Sequence, residues 1–255
     1  MWDTLRSALL WAAIGAVTAG FFPVALVTSA LAWLAGDRRR RSGHLWASLW
    51  GRTVVAISPA WSCEVDGPAP PDRPFVIVAN HESMGDIMTA FHLRHHFKWI
   101  AKDTIFRVPL LGWFMPMAGY ISIKRGSPAS ARKCMEKARA WLERGVSVLF
   151  FAEGTRSTDG GVQPFKPGAF KLAVATGVDV LPAAFSGTRE NLRKQSWRFG
   201  RTYTRMRLRV GTPIPVAGLC EEDVKGLAER ARAQVIVLKR ALEDEASDPS
   251  GPVSK

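Results

Sequence analysis

The feature that most constrains the fold of this chain is a long apolar segment near its N-terminus. No Asp, Glu, Lys or Arg occurs from Ser7 to Gly36. As one straight helix this segment would be about 45 Å long, whereas the hydrocarbon core of a bilayer is about 30 Å thick. The segment therefore predicts association with a membrane, and we expect one folded domain to follow it.

The middle of the apolar segment contains the sequence Gly20-Phe21-Phe22-Pro23. Proline removes a backbone donor and clashes with the preceding turn, so we expect two half-helices joined by a bend. Each half is too short to span a bilayer alone. A kinked spanning helix and a hairpin that enters one leaflet both fit this pattern, and we expect the hairpin.

Four consecutive arginines, Arg38 to Arg41, follow the apolar segment. Basic residues beside such a segment are typical of the cytoplasmic side, where they meet anionic headgroups. Ala30-Leu31-Ala32 resembles the cleavage site of a signal peptide, but the segment is longer than such peptides are. We expect a retained anchor on the cytoplasmic membrane, with the rest of the chain in the cytosol.

The composition indicates an anionic partner. The 255 residues include 35 Lys and Arg against 22 Asp and Glu, a formal net charge of +13. Such a charge favours nucleic acid, phospholipid headgroups or a phosphorylated metabolite. The three cysteines, Cys63, Cys134 and Cys220, have no CxxC spacing, which argues against a disulfide framework or a zinc site.

Beyond Trp50 the chain alternates short apolar runs with helical stretches. The runs that predict strands are Thr53–Ile57, Phe75–Ala79, Tyr120–Lys124, Val146–Ala152, Val180–Phe185 and Met206–Val210. The predicted helices are Ile87–His96, Ala129–Arg144, Gly168–Thr176 and Glu221–Glu245. This alternation predicts an α/β fold whose sheet is covered on both faces. We divide the chain into a membrane-associated helical segment (1–45), a folded domain (46–247) and a disordered tail (248–255).

A histidine and an aspartate lie close together directly after the strand Phe75–Ala79. They begin and end the sequence His81-Glu82-Ser83-Met84-Gly85-Asp86. A neutral imidazole accepts a proton from a hydroxyl, and a carboxylate on its other nitrogen fixes the tautomer and stabilises the imidazolium. The pattern predicts a general base with its orienting acid. Two alternatives stay open: Asp86 caps a helix while His81 packs locally, or Ser83 is a nucleophile, although no GxSxG sequence surrounds it.

Cationic residues follow two further predicted strands. Lys124 and Arg125 end one strand, and Glu153-Gly154-Thr155-Arg156 follows the next. The planar guanidinium suits phosphate oxygens, and glycine lets backbone donors approach closely. We expect these cations to converge on one anion. Each segment alone also fits a solvated strand end or a local ion pair between Glu153 and Arg156.

In this order, the segments resemble four sequence blocks of the lysophospholipid acyltransferase family. The blocks are Asn80–Asp86, Gly119–Arg125, Phe151–Ser157 and Val180–Ala184, and the stretches Ala101-Lys102, Pro109–Trp113 and Phe165–Phe170 fit as well. Two departures concern the substrates: Ala183 and Ala184 stand where larger aliphatic residues are usual, and Lys124 replaces a common acidic residue. The resemblance implies a mixed, mostly parallel sheet covered by helices, with residues 46–247 as the catalytic domain.

The resemblance also implies an activity. A fatty acyl group would pass from a thioester, acyl-CoA or acyl-carrier protein, to the free hydroxyl of a lysophospholipid, with no covalent acyl-enzyme, no metal and no cofactor. The default acceptor is 1-acyl-glycerol 3-phosphate, giving phosphatidic acid; another lysophospholipid, a lyso-aminolipid or glycerol 3-phosphate would be an alternative. The implied catalytic residues are His81 and Asp86. The implied substrate-binding residues are Lys124, Arg125, Glu153, Gly154, Thr155, Arg156 and Lys166, with Glu153 in a positioning role.

Two other features allow different interpretations. A basic stretch from Arg189 to Arg209 surrounds Trp197 and would suit nucleic acid or a membrane surface; beside an anchor, the membrane is favoured and nucleic acid is not expected. His92 and His96 lie one helical turn apart, a spacing that suits a metal or simply a helix C-terminus. A membrane serine hydrolase using Ser83 and a noncatalytic basic module that binds lipid are the competing hypotheses.

Overall fold

The computed structural model describes residues 2–157, 159–192, 196–200 and 203–247. The helices in these residues are α1 (Trp2–Leu34), α2 (Arg41–Ala56), α3 (Gly85–Ala90), α4 (Leu111–Met117), α5 (Pro128–Glu143), α6 (Gly168–Thr176) and α7 (Val224–Ser247). The strands are β1 (Trp61–Asp66), β2 (Val76–Ala79), β3 (Phe97–Lys102), β4 (Ile121–Ile123), β5 (Ser147–Phe151), β6 (Val180–Ser186) and β7 (Thr204–Val210). Short 3-10 turns cover Ile105–Arg107 and Glu221–Asp223.

The strands form one sheet in the order β1-β7-β6-β2-β5-β3-β4. From β6 to β4 every neighbouring pair is parallel. β7 runs antiparallel to β6, and β1 runs parallel to β7. The sheet is therefore mixed and mostly parallel, as predicted. The carboxyl ends of five strands meet at one border of the sheet, called here the carboxyl edge.

Helices cover both faces of the sheet. Side chains alternate between the two faces along each strand, so each central strand supplies apolar residues to both. In and beside β2, Phe75 and Ile77 pack in a cluster with residues of α2, α3 and α4. Val76 and Val78 face the opposite side, where α5, α6 and α7 pack. All four side chains are at most 1% exposed, so the centre of the sheet is core on both sides.

The apolar N-terminal segment forms one continuous helix. α1 runs through Pro23 without interruption, so the predicted hairpin of two half-helices is wrong. The chain instead turns after α1, and Asp37 caps α2: Oδ1 accepts from the Arg41 N–H and Oδ2 from the Ser42 N–H, both at 2.9 Å. α1 is the one helix in the described residues that is long and apolar enough to cross a membrane.

The predicted strand Thr53–Ile57 is wrong, because these residues end α2 and lead out of it. A short run of β-branched residues does not separate a strand from a buried helix face, and here Val54 and Val55 pack inward from a helix. The predicted helix Ile87–His96 is too long: α3 ends at Ala90 and β3 begins at Phe97.

Two strands were not predicted from the sequence. β1 is a half-buried edge strand that carries charges, and β3 contains the fully buried Lys98. The other predicted strands and helices are found with boundaries shifted by a few residues. The predicted boundary at residue 45 falls within α2. The predicted tail 248–255 lies outside the described residues, as do Arg193, Lys194 and Arg201 of the basic stretch.

Candidate functional site

The candidate site lies at the carboxyl edge of the sheet. β2 ends at Ala79 beside Phe151, the last residue of β5. The loop after β2 carries His81, and the loop after β5 carries Glu153 and Arg156. β4 ends just before Lys124, at the same edge. The parallel strand order therefore brings three separate sequence segments to one place.

His81 and Asp86 form a hydrogen-bonded pair. His81 Nδ1 lies 2.7 Å from Asp86 Oδ2, and Asp86 is completely buried. The imidazole ring stacks on Phe151 with ring centroids 4.0 Å apart. A buried carboxylate on Nδ1 holds the proton there and leaves Nε2 as an acceptor. This is the arrangement that a general base requires.

The Asp86 carboxylate is fixed on both oxygens. Oδ2 also accepts from the backbone N–H groups of Glu82 at 2.7 Å and Ser83 at 3.0 Å. Oδ1 accepts from the hydroxyl of Thr188, which lies in the loop after β6. The alternative in which Asp86 caps a helix while His81 packs separately does not describe this geometry. Sequence reasoning missed Thr188, because no local spacing connects it to Asp86.

The backbone around His81 is held by neighbouring loops. Asn80 exchanges two hydrogen bonds with the backbone of Phe185, at 2.8 and 2.9 Å. The His81 N–H donates to Glu153 Oε1 at 2.7 Å, and Gln163 N–H donates to Glu153 Oε2 at 3.0 Å. Burial raises the pKa of Glu153, whereas these two backbone donors lower it. The Glu153 carboxylate therefore connects the backbone of His81 to that of Gln163.

Ser83 does not have the environment of a nucleophile. Its side chain is fully buried, and its hydroxyl donates to the Leu192 carbonyl oxygen at 3.1 Å. Oγ of Ser83 also accepts a hydrogen bond, at 3.2 Å, from the N–H of Gly85, the first residue of α3. The geometry supports a capping role and argues against a serine hydrolase.

The predicted arginines lie at the same edge with different exposure. Arg125 is exposed and Arg156 is half-buried. Burial lowers the pKa of Arg156, the Asp86 carboxylate raises it, and Arg125 lowers it further. Arg156 thus interacts electrostatically with both the Asp86 carboxylate and the Arg125 guanidinium. A concentration of cations beside the histidine is suited to an anionic substrate.

The remaining predicted residues surround Gly154. This glycine has φ of +73°, and a Cβ there would lie 2.7 Å from Nζ of Lys166. The Lys166 side chain therefore passes directly over the glycine. Thr155 and Lys124 are exposed at the same edge. Glycine is needed here for its left-handed conformation and for the close approach of Lys166.

Lys102 is a further cation at this edge that was not predicted as a site residue. It is the last residue of β3, pairs in register with Ile123 of β4 and is exposed. β3 lies between β5 and β4, so Lys102 stands between the loops that carry Arg156 and Arg125. Only the recognition of β3 as a strand would have indicated this position.

An apolar cavity begins beside the dyad. Met84 and Ile87, from the loop and helix that hold Asp86, line it together with Phe22, Trp46, Trp99 and Phe114. The cavity extends between α1, α2, α4 and the sheet. Its walls suit a hydrocarbon chain rather than a polar ligand.

No group of three or more His, Cys, Asp or Glu side chains that could hold a metal occurs in the described residues. His92 Nδ1 lies 2.9 Å from the Met88 carbonyl oxygen, and His96 Nε2 lies 3.0 Å from Lys98 Nζ. These two histidines therefore have partners within the fold.

Comparisons with known proteins identify the family of this chain. Residues 62–186 match the family model described as Acyltransferase. The chain is 39% identical over 180 residues to the chloroplastic 1-acyl-sn-glycerol-3-phosphate acyltransferase BAT2 of Brassica napus, covering 69% of this chain and 52% of that protein. The chain belongs to the acyltransferase family. This acyltransferase is also 36% identical over 175 residues to 1-acyl-sn-glycerol-3-phosphate acyltransferase alpha of Ovis aries, covering 68% and 60% of the two chains.

The fold of this acyltransferase is similar to a solved structure. The 1-acyl-sn-glycerophosphate (LPA) acyltransferase PlsC of Thermotoga maritima superposes with a TM-score of 0.74 at 27% identity, covering 97% of this chain and 99% of that one. The chain spans between 42% and 61% of the length of the plant chloroplast and human relatives. The membership of the acyltransferase family that the four sequence blocks indicated is thereby confirmed.

Proposed function

We propose that this acyltransferase transfers a fatty acyl group from an acyl thioester to the free hydroxyl of 1-acyl-glycerol 3-phosphate, which gives phosphatidic acid. The observation that carries the proposal is the His81–Asp86 pair, 2.7 Å apart, with cations at the same edge of the sheet and an apolar cavity lined by Met84 and Ile87. A lysophosphatidic acid combines a phosphate, a hydroxyl and an acyl chain. The names of the relatives support the same acceptor.

The chemistry follows from the dyad. Nε2 of His81 removes the proton from the glycerol hydroxyl while Asp86 stabilises the imidazolium. The oxygen attacks the thioester carbonyl carbon, a C–O bond forms, and the C–S bond breaks. The thiolate leaves and takes up the proton from His81, which restores the neutral base. A simple thiol has a pKa of about 8.5, so no second strong acid is required.

The cations at the carboxyl edge have a binding role in this mechanism. Arg125 and Arg156 hold the acceptor phosphate, with Lys102, Lys124 and Lys166 adding positive charge. Gly154 lets the backbone come close to that phosphate, and Glu153 positions the His81 loop. Acyl-CoA and acyl-carrier protein are both anionic, and the net charge of +13 suits either donor. The reaction needs no metal or bound cofactor.

The structure supports a helix that lies in the membrane surface. At one end of α1, Arg6 donates to the Phe199 carbonyl oxygen at 3.2 Å, and Trp11 Nε1 donates to the Trp197 carbonyl oxygen at 2.8 Å. Just after the other end, Arg40 donates to the Met117 carbonyl oxygen at 2.8 Å. The two ends of a spanning helix lie on opposite sides of the bilayer and cannot both contact one domain. We therefore propose that α1 lies flat beside the catalytic domain, and the arginines that follow it favour the cytoplasmic leaflet.

The exposed side of α1 fits this orientation. Its large exposed apolar side chains are Trp2, Leu5, Leu9, Trp11, Val24, Leu26, Val27, Leu31, Trp33 and Leu34. Such a surface is buried favourably among headgroups and acyl chains. The lysolipid and its product reach the site without leaving the bilayer.

One assay tests the proposed function. Purified protein is given labelled acyl-CoA or acyl-carrier protein with a panel of acceptors, and the products are identified by mass. The panel holds 1-acyl-glycerol 3-phosphate, another lysophospholipid, a lyso-aminolipid and glycerol 3-phosphate. We expect phosphatidic acid from the first acceptor, and its formation at least about 100-fold slower with His81→Ala. Transfer to no acceptor would favour a noncatalytic lipid-binding module, and preference for the aminolipid would reassign the acceptor.

A further inference from the structure

A buried ion pair connects the loop of His81 to the C-terminal helix. Lys239 Nζ of α7 lies 3.0 Å from Glu82 Oε1, and both side chains are less than a tenth exposed. Glu82 follows His81 directly, and its N–H donates to the Asp86 carboxylate. Lys239 also pairs with Glu243, one turn further along α7. The contact joins residues that are far apart in the sequence.

The surroundings of His81 contain several buried charges. Three carboxylates are at most 5% exposed: Asp86 on the ring, Glu82 in the same loop and Glu153 under the backbone. Each is opposed by a cation from another element. Arg156 acts on Asp86, Arg232 acts on Glu153, and Lys239 acts on Glu82. Glu243 is the further acidic group beside Lys239.

We infer that Lys239 is a positioning residue for the catalytic base: by pairing with Glu82 it ties the His81 loop to α7. This inference rests on the proposed function of His81. The Glu82 N–H donates to Oδ2 of Asp86, the same oxygen that contacts Nδ1 of His81. A displacement of Glu82 would therefore move the carboxylate that orients the base, and the pair with Lys239 holds Glu82 in place.

The burial of the pair makes the role of Lys239 specific. The pKa of Glu82 is raised to about 7: burial, Asp86 and Glu243 raise it, and Lys239 lowers it. Removing one partner of a buried pair leaves an uncompensated charge, which is far more costly than losing a surface ion pair. The loop that carries His81 would then rearrange or change its charge.

Lys239→Met is expected to lower kcat about tenfold and to leave the acceptor KM nearly unchanged, because the loop that carries His81 loses its connection to α7 while the phosphate site is intact. Lys239→Arg keeps a cation at this position and is expected to restore most of the activity. Glu82→Gln removes the same pair from the other side, so the double variant should be little slower than either single variant. A merely structural contact would lower stability without this separation of kcat from KM.

Glu245→Gln is the matched control. Glu245 also lies on α7 and pairs with the buried Arg207 at 2.6 Å, but Arg207 belongs to β7 and binds Glu64, Asp66 and the Leu242 carbonyl oxygen. This variant is expected to lower the melting temperature without lowering kcat. An unchanged kcat in Lys239→Met, or an equal fall of kcat in the control, would overturn the inference.

A second measurement does not depend on turnover. The Cε1–H signal of His81, assigned with His81→Ala, is compared by NMR in the wild type, in Lys239→Met and in Glu245→Gln. We expect its chemical shift to change in Lys239→Met, because the ring moves relative to Phe151 and Asp86, and to stay as in the wild type in Glu245→Gln. Absence of acyl transfer by the wild type would refute the proposed function alone, because the NMR signal still decides the role of Lys239. An identical signal in all three proteins would refute that role.

Discussion

The hydroxyl of Thr188 donates a hydrogen bond to Oδ1 of Asp86, the carboxylate oxygen that His81 does not contact. Thr188 follows β6, whereas Asp86 lies at the start of α3. The acid of the dyad is therefore held by two segments that meet only in the folded sheet.

Thr188→Val should lower kcat about tenfold and leave the acceptor KM nearly unchanged. A hydrogen bond to a buried charged group contributes about 1.5–3 kcal/mol, and its loss lets the carboxylate rotate away from His81. Steady-state kinetics with 1-acyl-glycerol 3-phosphate measures the effect. Thr176→Val is the control, because the Thr176 hydroxyl bonds only to carbonyl oxygens of its own helix. Unchanged kcat in Thr188→Val would show that Asp86 needs no such support.

His81→Ala should reduce kcat by about 100-fold to 10,000-fold, the usual contribution of a general base. Binding of the acceptor should be retained, because the phosphate is held by other residues. Single-turnover rates and equilibrium binding to lysolipid measure the two effects separately. Equal loss of binding and rate would contradict the assigned role.

Arg125→Ala should act on binding rather than on chemistry. An exposed guanidinium that holds a phosphate in both the ground state and the transition state raises KM when it is removed, here by about tenfold, with kcat nearly unchanged. Arg139→Ala is the control, since Arg139 is exposed and pairs within α5 with Glu143. A fall in kcat without any change in KM would place Arg125 outside the phosphate site.

Stability should decrease in acid because His44, which is buried, and His96, which is half-buried, are held in the neutral form. Burial and the charge of Lys98 lower the pKa of His44 to about 3 and that of His96 to about 2. Between about pH 3 and 6.5 the unfolded chain binds protons that the folded chain does not. The free energy of unfolding should therefore rise with pH in this window, by about 1 kcal/mol per pH unit for each histidine.

Denaturant unfolding at several pH values from 4 to 7 checks this dependence. His44→Gln should flatten the slope, whereas Thr176→Val should leave it as in the wild type. An equally steep slope in His44→Gln would assign the acid sensitivity to other groups.

Trp33→Glu should weaken binding to anionic vesicles at least tenfold. The side chain is 46% exposed on α1, and a charge there opposes burial of the helix among acyl chains. Val237→Glu is the matched control, because Val237 is 66% exposed on α7. Vesicle co-sedimentation measures both variants. Equal loss in the two would indicate that general charge, and not the surface of α1, governs membrane binding.

Local features of the sequence were sufficient for part of this description. The His81–Asp86 contact was predictable because only a short turn separates the two residues at a strand end, and such spacing restricts their distance whatever the rest of the fold does. The apolar character of residues 7–36 likewise predicts a membrane-associated helix from composition alone. The helix continues through Pro23, and the β-branched residues near Val54 belong to a helix, because packing against neighbouring elements overrides local propensity.

Contacts between distant segments were decided by the tertiary structure. The sequence determined which residues carry the chemistry and that they follow strands. The strand order β6-β2-β5-β3-β4 decided that Thr188 meets Asp86, that Lys102 stands between the two arginine loops and that Lys239 reaches Glu82. The physical reason is that local spacing limits only the neighbours along a chain, whereas the partners of a buried charge depend on how whole strands and helices pack together.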